Sequence, residues 1–247
     1  MNNKKKIEVA FSPILYKYFD DKDAIVVVID VLRATSAICT AFNNGVKKLI
    51  PVGTVKEARD FKNNGYMVAA ERDGVVLDFA DFGNSPFNFT KGNIKDKTIA
   101  YSTTNGTQAI NIAKNSHEVI IGSFLNLDTV CKYITEKNKD VILLCAGWKN
   151  KFNIEDTICA GAIIEKLFAA NQYETICDSA NASIELWSVA KHDIVNFIEK
   201  AAQRHRLKRL GLDDVIEYCH TPNLCNVLPI LKDGYLVDKL IDNTEKC

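Results

Sequence analysis

Five β-branched residues in a row, Ile25 to Ile29, constrain the fold of this chain more than any other stretch. The run does not alternate between apolar and polar positions, so it suits a strand covered on both faces of a parallel sheet. It stops at Asp30. Arg33 follows three residues later, and Ala34, Thr35 and Ser36 open a helix-like segment that runs through Asn44 and closes at Gly45. Open α/β sheets bind ligands at the carboxyl ends of their strands, and the first turn of the next helix offers free N–H groups to an anion. An oxyanion is therefore expected at this turn, with Arg33 gripping it through two nitrogens, Thr35 and Ser36 donating to it and Asp30 holding a hard cation beside it. The plainer alternative is a capped helix in which Asp30 and Arg33 form a local ion pair.

The pattern then repeats. Residues 6–10, 46–52, 66–70, 98–102, 119–121 and 141–146 read as strands, and helices are expected from Thr54 to the Asn63–Asn64–Gly65 stop, and over 128–137. Strand and helix alternate, so the predicted class is α/β, with a largely parallel or mixed sheet flanked by helices. Residues 1–247 read as one domain; two closely packed lobes, 1–100 and 101–247, stay open as an inseparable subdivision. The 66–70 strand ends at Glu71, and the aperiodic 72–92 loop carries Asp81, Asn84 and Ser85. A loop this long in a compact domain marks function. Thr103, Thr104, Asn105, Gly106 and Thr107 open another helix, where one capping residue would suffice, and so form a second anion cradle in prospect. Glu155 and Asp156 begin an apolar helix to about residue 170, a place the helix dipole favours for acids anyway. A charged helical stretch over 179–209 and a strand pair within 227–236 complete the chain.

Charge balance excludes several partners. Lys plus Arg and Asp plus Glu number 31 each, so no basic field argues for nucleic acid or an anionic membrane. The eight cysteines show no C-x-x-C pair, and most of them read as reduced core residues. No apolar stretch of signal or membrane-spanning length follows the basic MNNKKK start, which leads to the expectation of a cytoplasmic protein, monomer or homodimer.

Strand-end carboxylates beside Arg and hydroxyl donors suit a magnesium-bound phosphate, since Mg²⁺ takes oxygen ligands. Leu32 stands where an aspartyl-phosphate enzyme needs a second Asp, and no Cys has the Arg six positions on that a cysteine phosphatase needs. Arg204 and His205 begin a histidine-phosphatase motif, but Arg206 replaces its glycine. Phosphoribosyl-diphosphate binding competes, although the usual adjacent acids are reduced to Asp30. No G-x-G-x-x-G turn supports a dinucleotide.

In order along the chain, VVIDVLRATSAI (27–38), ERDG (71–74), DFGNSP (81–86), TTNGTQA (103–109), CAGW (145–148) and EDTICAGA (155–162), then more weakly DDVIEYC (213–219) and VLPIL (227–231), resemble the 2-phosphosulfolactate phosphatase family. The resemblance implies Mg²⁺-dependent hydrolysis of 2-phosphosulfolactate, a small phosphorylated hydroxy acid, in a step of coenzyme M synthesis. It lends weight to Asp30, Arg33 and Glu71 as catalytic residues, and to Asp30, Glu71 and Asp156 as metal ligands. Substrate would be bound by Arg33, Thr35, Ser36, Asn84, Ser85, Thr103, Thr104, Asn105, Gly106 and Thr107. A binding protein for a phosphorylated metabolite, with the same cradle and no turnover, is the rival expectation.

Overall fold

The computed structural model describes residues 4–19 and 22–242; the first residues of the basic start and Cys247 lie outside them. Among the described residues, eleven strands form one sheet: β1 (Lys5–Ala10), β2 (Ile25–Ile29), β3 (Lys48–Pro51), β4 (Met67–Arg72), β5 (Val75–Val76), β6 (Thr98–Ser102), β7 (Glu118–Gly122), β8 (Val141–Cys145), β9 (Tyr173–Glu174), β10 (Pro229–Lys232) and β11 (Tyr235–Asp238). Their order is β5-β4-β6-β3-β11-β10-β7-β2-β8-β1-β9. The expected α/β class is what forms.

As its composition requires, β2 lies deep in the sheet. Val27 pairs in parallel with Ile120 on one side and Leu143 on the other, and all five residues of the strand are buried. Strands β1 and β9 extend this parallel half beyond β8. A second parallel half is built from β4, β6 and β3, with Leu49 opposite Ile99. The two halves are joined by the β10–β11 hairpin, antiparallel within itself and to both neighbours through Ile230 opposite Ile120 and Leu236 opposite Leu49. Three antiparallel steps reverse the sense of one half relative to the other. The first half is drawn from two stretches of chain, 5–29 and 118–174, and the second from the stretch between them, 48–102.

Helix α1 (Ala34–Asn43) accounts for how halves of opposite sense share a site. Its residues Ala34 to Phe42 are all buried, in one core cluster with Val26, Val28 and Leu144 of the first half and Leu49, Ile99 and Tyr101 of the second. A helix without a polar face is a buried helix, and this one is enclosed by the coiled sheet. The Tyr101 hydroxyl donates to the Ala34 carbonyl at 3.2 Å. The carboxyl ends of β2, β4, β6 and β8 thereby come together.

The outer faces are covered by helices. Helix α2 (Val55–Asn63), opened by the reciprocal Thr54 and Glu57 bonds that its sequence advertises, lies beside the small cluster of Val52, Ala58, Val68, Ala70 and Ala100. Helix α3 (Gly106–Ala113) follows β6, while α4 (Leu127–Lys137), α5 (Ile154–Ala169) and α6 (Asp178–Ala190) contribute to the other core cluster. At Gly161 helices α5 and α6 approach so closely that a Cβ would strike the Ser183 carbonyl and lie 2.6 Å from Trp187 Cβ. The expected 179–209 stretch is broken: α6 stops, Asp193 caps the short α7 (Ile194–Phe197) by accepting from Asn196 N–H, and α8 (Ala202–Arg209) follows a 3₁₀ turn. Helix α9 (Ile216–His220) leads to the hairpin. No helix among the described residues is long and apolar enough to cross a membrane.

Candidate active site

At the end of β2 the protein caps its own helix. The Asp30 carboxylate accepts from Ala34 N–H at 3.3 Å, its carbonyl accepts from Thr35 N–H at 2.8 Å, and its N–H donates to Thr35 Oγ1 at 3.1 Å. A carboxylate is favourable at this positive end. The Ser36 hydroxyl donates to the Val31 carbonyl at 2.8 Å and lies 3.0 Å from Ser123 Oγ. Thr35 and Ser36, expected as phosphate donors, are fully buried, and in this structure both hydroxyls hold the β2–α1 turn in shape.

The second cradle is likewise occupied by an acid. Glu71, at the end of β4, accepts from Thr104 N–H at 2.7 Å, Thr104 Oγ1 at 3.1 Å and Gly74 N–H at 2.6 Å. Thr103 and Thr107 bond each other, each backbone N–H to the other's hydroxyl at 3.2 and 3.1 Å. Thr103, Thr104 and Thr107, expected to bind substrate, make these bonds within the protein. Gly106 has to be glycine, because a Cβ there would collide with Ala34 Cβ and lie 2.9 Å from Asp30 Oδ2. The helix ends that the sequence offers to phosphate thus hold Asp30 and Glu71, because neighbouring strands deliver these side chains there first.

What remains open is a narrow cleft lined by Asp30, Arg33, Glu71, Asn84, Asn105, Trp148 and Gln203, among others. Arg33 is only 4% exposed and donates through Nη2 to Asn84 Oδ1 at 2.8 Å. Among the described residues it has no carboxylate within 4.0 Å, so the local pair with Asp30 does not form. Asn105 accepts from Lys149 N–H at 3.0 Å, which leaves its amide nitrogen as a donor at the cleft. Ser85 is not part of the cleft lining; it precedes the Pro86–Phe89 turn. Asp81 pairs with Lys62 at 2.6 Å on the surface. Trp148 and Gln203 are cleft residues that the sequence reading missed, although Trp148 directly follows a strand-end glycine and Gln203 stands one helical turn before Leu207, an apolar residue in a charged helix.

Deeper lie two further acids. Asp156, expected as a metal ligand, accepts from Val31 N–H at 2.8 Å and Gly147 N–H at 3.1 Å, and so fastens the loops after β2 and β8 rather than lining the cleft. Glu155 accepts from Asn153 Nδ2 at 3.1 Å, while its Oε2 and Asn153 Oδ1 are buried without a partner. Burial pushes Glu155 up to about 7; burial, then the Glu155 charge, pushes Asp156 up to about 8. Asp30 is raised well above the ordinary carboxylate range by burial and next by Asp156, against the pull of Ala34 N–H and Arg33. Four buried acids against the single deeply buried Arg33 make a donor set that favours a hard cation with oxygen ligands. No group of three or more His, Cys, Asp or Glu among the described residues is placed to hold a metal, so the fit is to an ion held by one or two carboxylates, as Mg²⁺ is beside phosphate.

A buried guanidinium without an acid partner, facing carboxylates where parallel strands converge, defines an α/β protein built around a small oxyanion. The 2-phosphosulpholactate phosphatase family model matches residues 14–234, and the chain belongs to that family. It is 38% identical over 219 residues to a protein of Caldanaerobacter subterraneus subsp. tengcongensis, covering 87% of this chain and 90% of the relative. A Clostridium botulinum protein is 36% identical over 242 residues (95% and 100%), and a Thermotoga maritima protein 38% over 213 residues (86% and 91%). All three carry the name "Probable 2-phosphosulfolactate phosphatase".

Proposed function

We propose that this protein hydrolyses the phosphate monoester of 2-phosphosulfolactate to sulfolactate and phosphate. The observation that carries the reading is Arg33, a buried fork with no carboxylate within 4.0 Å among the described residues, bonded to Asn84 and lining a narrow cleft with Asp30 and Glu71. Family membership and the names of the relatives supply the substrate. Arg33 receives the phosphoryl oxygens through two N–H groups, and the Asn105 amide adds a neutral donor. Asp30 and Glu71, the acids that line the cleft, would hold Mg²⁺, which supplies positive charge against the charge that develops on the phosphoryl group. Water then forms the new bond to phosphorus as the bond to the hydroxy-acid oxygen breaks. A cytoplasmic enzyme at a step of coenzyme M synthesis fits this chemistry.

Release of inorganic phosphate from 2-phosphosulfolactate and from a panel of phosphorylated hydroxy acids tests the reading. Turnover is expected, to be abolished by EDTA and restored by Mg²⁺. Phosphate binding without turnover on any ester, with Mg²⁺ supplied, would leave the non-catalytic binding protein instead. Full turnover after exhaustive chelation would remove the metal role of Asp30 and Glu71 alone.

A further inference from the structure

Helix α8 brings a second guanidinium against two residues that line the same cleft. Arg206 Cζ stands 4.2 Å from the centroid of the Trp148 ring, and Arg206 Nε donates to Gln203 Oε1 at 2.7 Å. Gln203 in turn donates through Nε2 to the Leu32 carbonyl at 3.0 Å, on the residue before Arg33. Trp148 and Gln203 both line the cleft. Arg206 is thus fastened to two wall residues, and one side chain links it to the turn that carries Arg33.

The other guanidinium on the first turn of α8 has a structural partner. Arg204 is paired with Glu199 at 2.9 Å and with Asp213 at 2.8 Å. Arg206 has no carboxylate within 4.0 Å among the described residues; Glu155 attracts it from farther off, and Arg209 repels it. Its Nε is spent on an amide and its face on an indole. The terminal pair of nitrogens is left, in a fixed plane, and that fork matches the two oxygens of a carboxylate or sulfonate.

We propose that Arg206 is a specificity-determining residue: it binds a second anionic group, carboxylate or sulfonate, on a phosphorylated hydroxy acid whose phosphate lies on Arg33. The inference rests on the phosphatase reading and deepens it, since it makes the cleft selective for esters with two anionic ends.

The test compares wild type with Arg206→Gln and Arg206→Lys on three esters: 2-phosphosulfolactate, 2-phospholactate, which lacks the sulfonate, and isopropyl phosphate, which lacks both groups. In Arg206→Gln the kcat/KM ratio of 2-phosphosulfolactate to isopropyl phosphate is expected to fall about tenfold to thirtyfold, mostly through KM, as loss of a charge-assisted bond implies. An equal fall with 2-phospholactate assigns the carboxylate; a fall confined to the sulfonate ester assigns the sulfonate. Equal losses on all three esters, or no loss, overturn the proposal. If Arg206→Gln fails to fold by far-UV circular dichroism, Arg206→Lys, which keeps the charge without the fork, gives the same comparison with an expected fall of about threefold. Calorimetry with sulfolactate and with inorganic phosphate separates this inference from the phosphatase reading. If wild type releases no phosphate from any ester, the phosphatase reading falls, and Arg206 stands if its replacement weakens sulfolactate and not inorganic phosphate. Equal weakening of both, no weakening, or no sulfolactate binding to wild type overturns it.

Discussion

Replacing Glu155 by Gln is expected to stabilise the protein above neutral pH and to flatten its stability profile. Glu155 is fully buried, its Oε2 has no partner, and a second orphaned acceptor, Asn153 Oδ1, lies on the adjoining side chain. Burial lifts its carboxyl from 4.5 to about 7. The folded state therefore binds more protons than the unfolded state across that window, and stability falls as pH rises through it. At about 1.4 kcal/mol per pH unit the loss attributable to this group is roughly 3 kcal/mol, an upper figure because charge is shared with Asp30 and Asp156. For a domain of this size that corresponds to about 6–10 °C in Tm. The glutamine amide carries no charge to bury and puts a donor in place of the orphaned Oε2, beside the one remaining unpaired acceptor, Asn153 Oδ1. Thermal unfolding of wild type and Glu155→Gln from pH 5 to 8 in EDTA checks it: both should lose stability, because the raised carboxyls of Asp156 and Asp30 act across the same window, and wild type should lose more by several degrees. Parallel curves would show that Glu155 does not carry the buried charge, and the argument from its missing partner would fail.

Arg33→Lys keeps a charge and loses the fork, so kcat/KM should drop on the order of a hundredfold, about 3 kcal/mol, while Tm falls by only what the Asn84 bond supplies, about 1–2 kcal/mol; wild-type turnover in this variant would move the phosphate elsewhere. Gly161→Ala drives a methyl into the Ser183 carbonyl and Trp187, and should lower the urea midpoint by the equivalent of about 1–3 kcal/mol; an unchanged midpoint would contradict the close α5–α6 crossing. Among the described cysteines only Cys177 is partly exposed, and burial pushes Cys131 and Cys219 up to about 12, so alkylation of native protein should leave turnover intact. Loss of activity on modification of a single thiol, prevented by phosphate, would reopen cysteine catalysis.

How much the sequence discloses depends on how far apart the partners lie. The Ile25 to Ile29 run, the Thr54 to Glu57 cap and the β6 bounds could be read locally, because β-branched bulk and side-chain capping act within a few residues. Asp30, Arg33 and Glu71 were legible for the same reason, as charges where apolar runs stop. The fate of Thr35, Ser36 and Thr104 was not. A hydroxyl at a helix start looks the same whether it awaits a phosphate or bonds Glu71 from a strand more than thirty residues away. Trp148, Gln203 and Arg206 meet only through tertiary packing, and a charged helical stretch gives no sign of which cation will lack an acid. The reversed sense of the two half-sheets hangs on single pairings, Ile230 with Ile120 and Leu236 with Leu49, that no periodicity encodes.

The β10–β11 hairpin also sets an order of events during synthesis. Strands β3 and β7 have left the ribosome long before residues 229–238 exist, and until those residues arrive each half-sheet has an unpaired border and α1 lacks part of its enclosure. Unpaired borders are where chains join their neighbours by mistake. The nascent protein therefore carries two unpaired edges and an unfinished cleft until one late ribbon closes the gap.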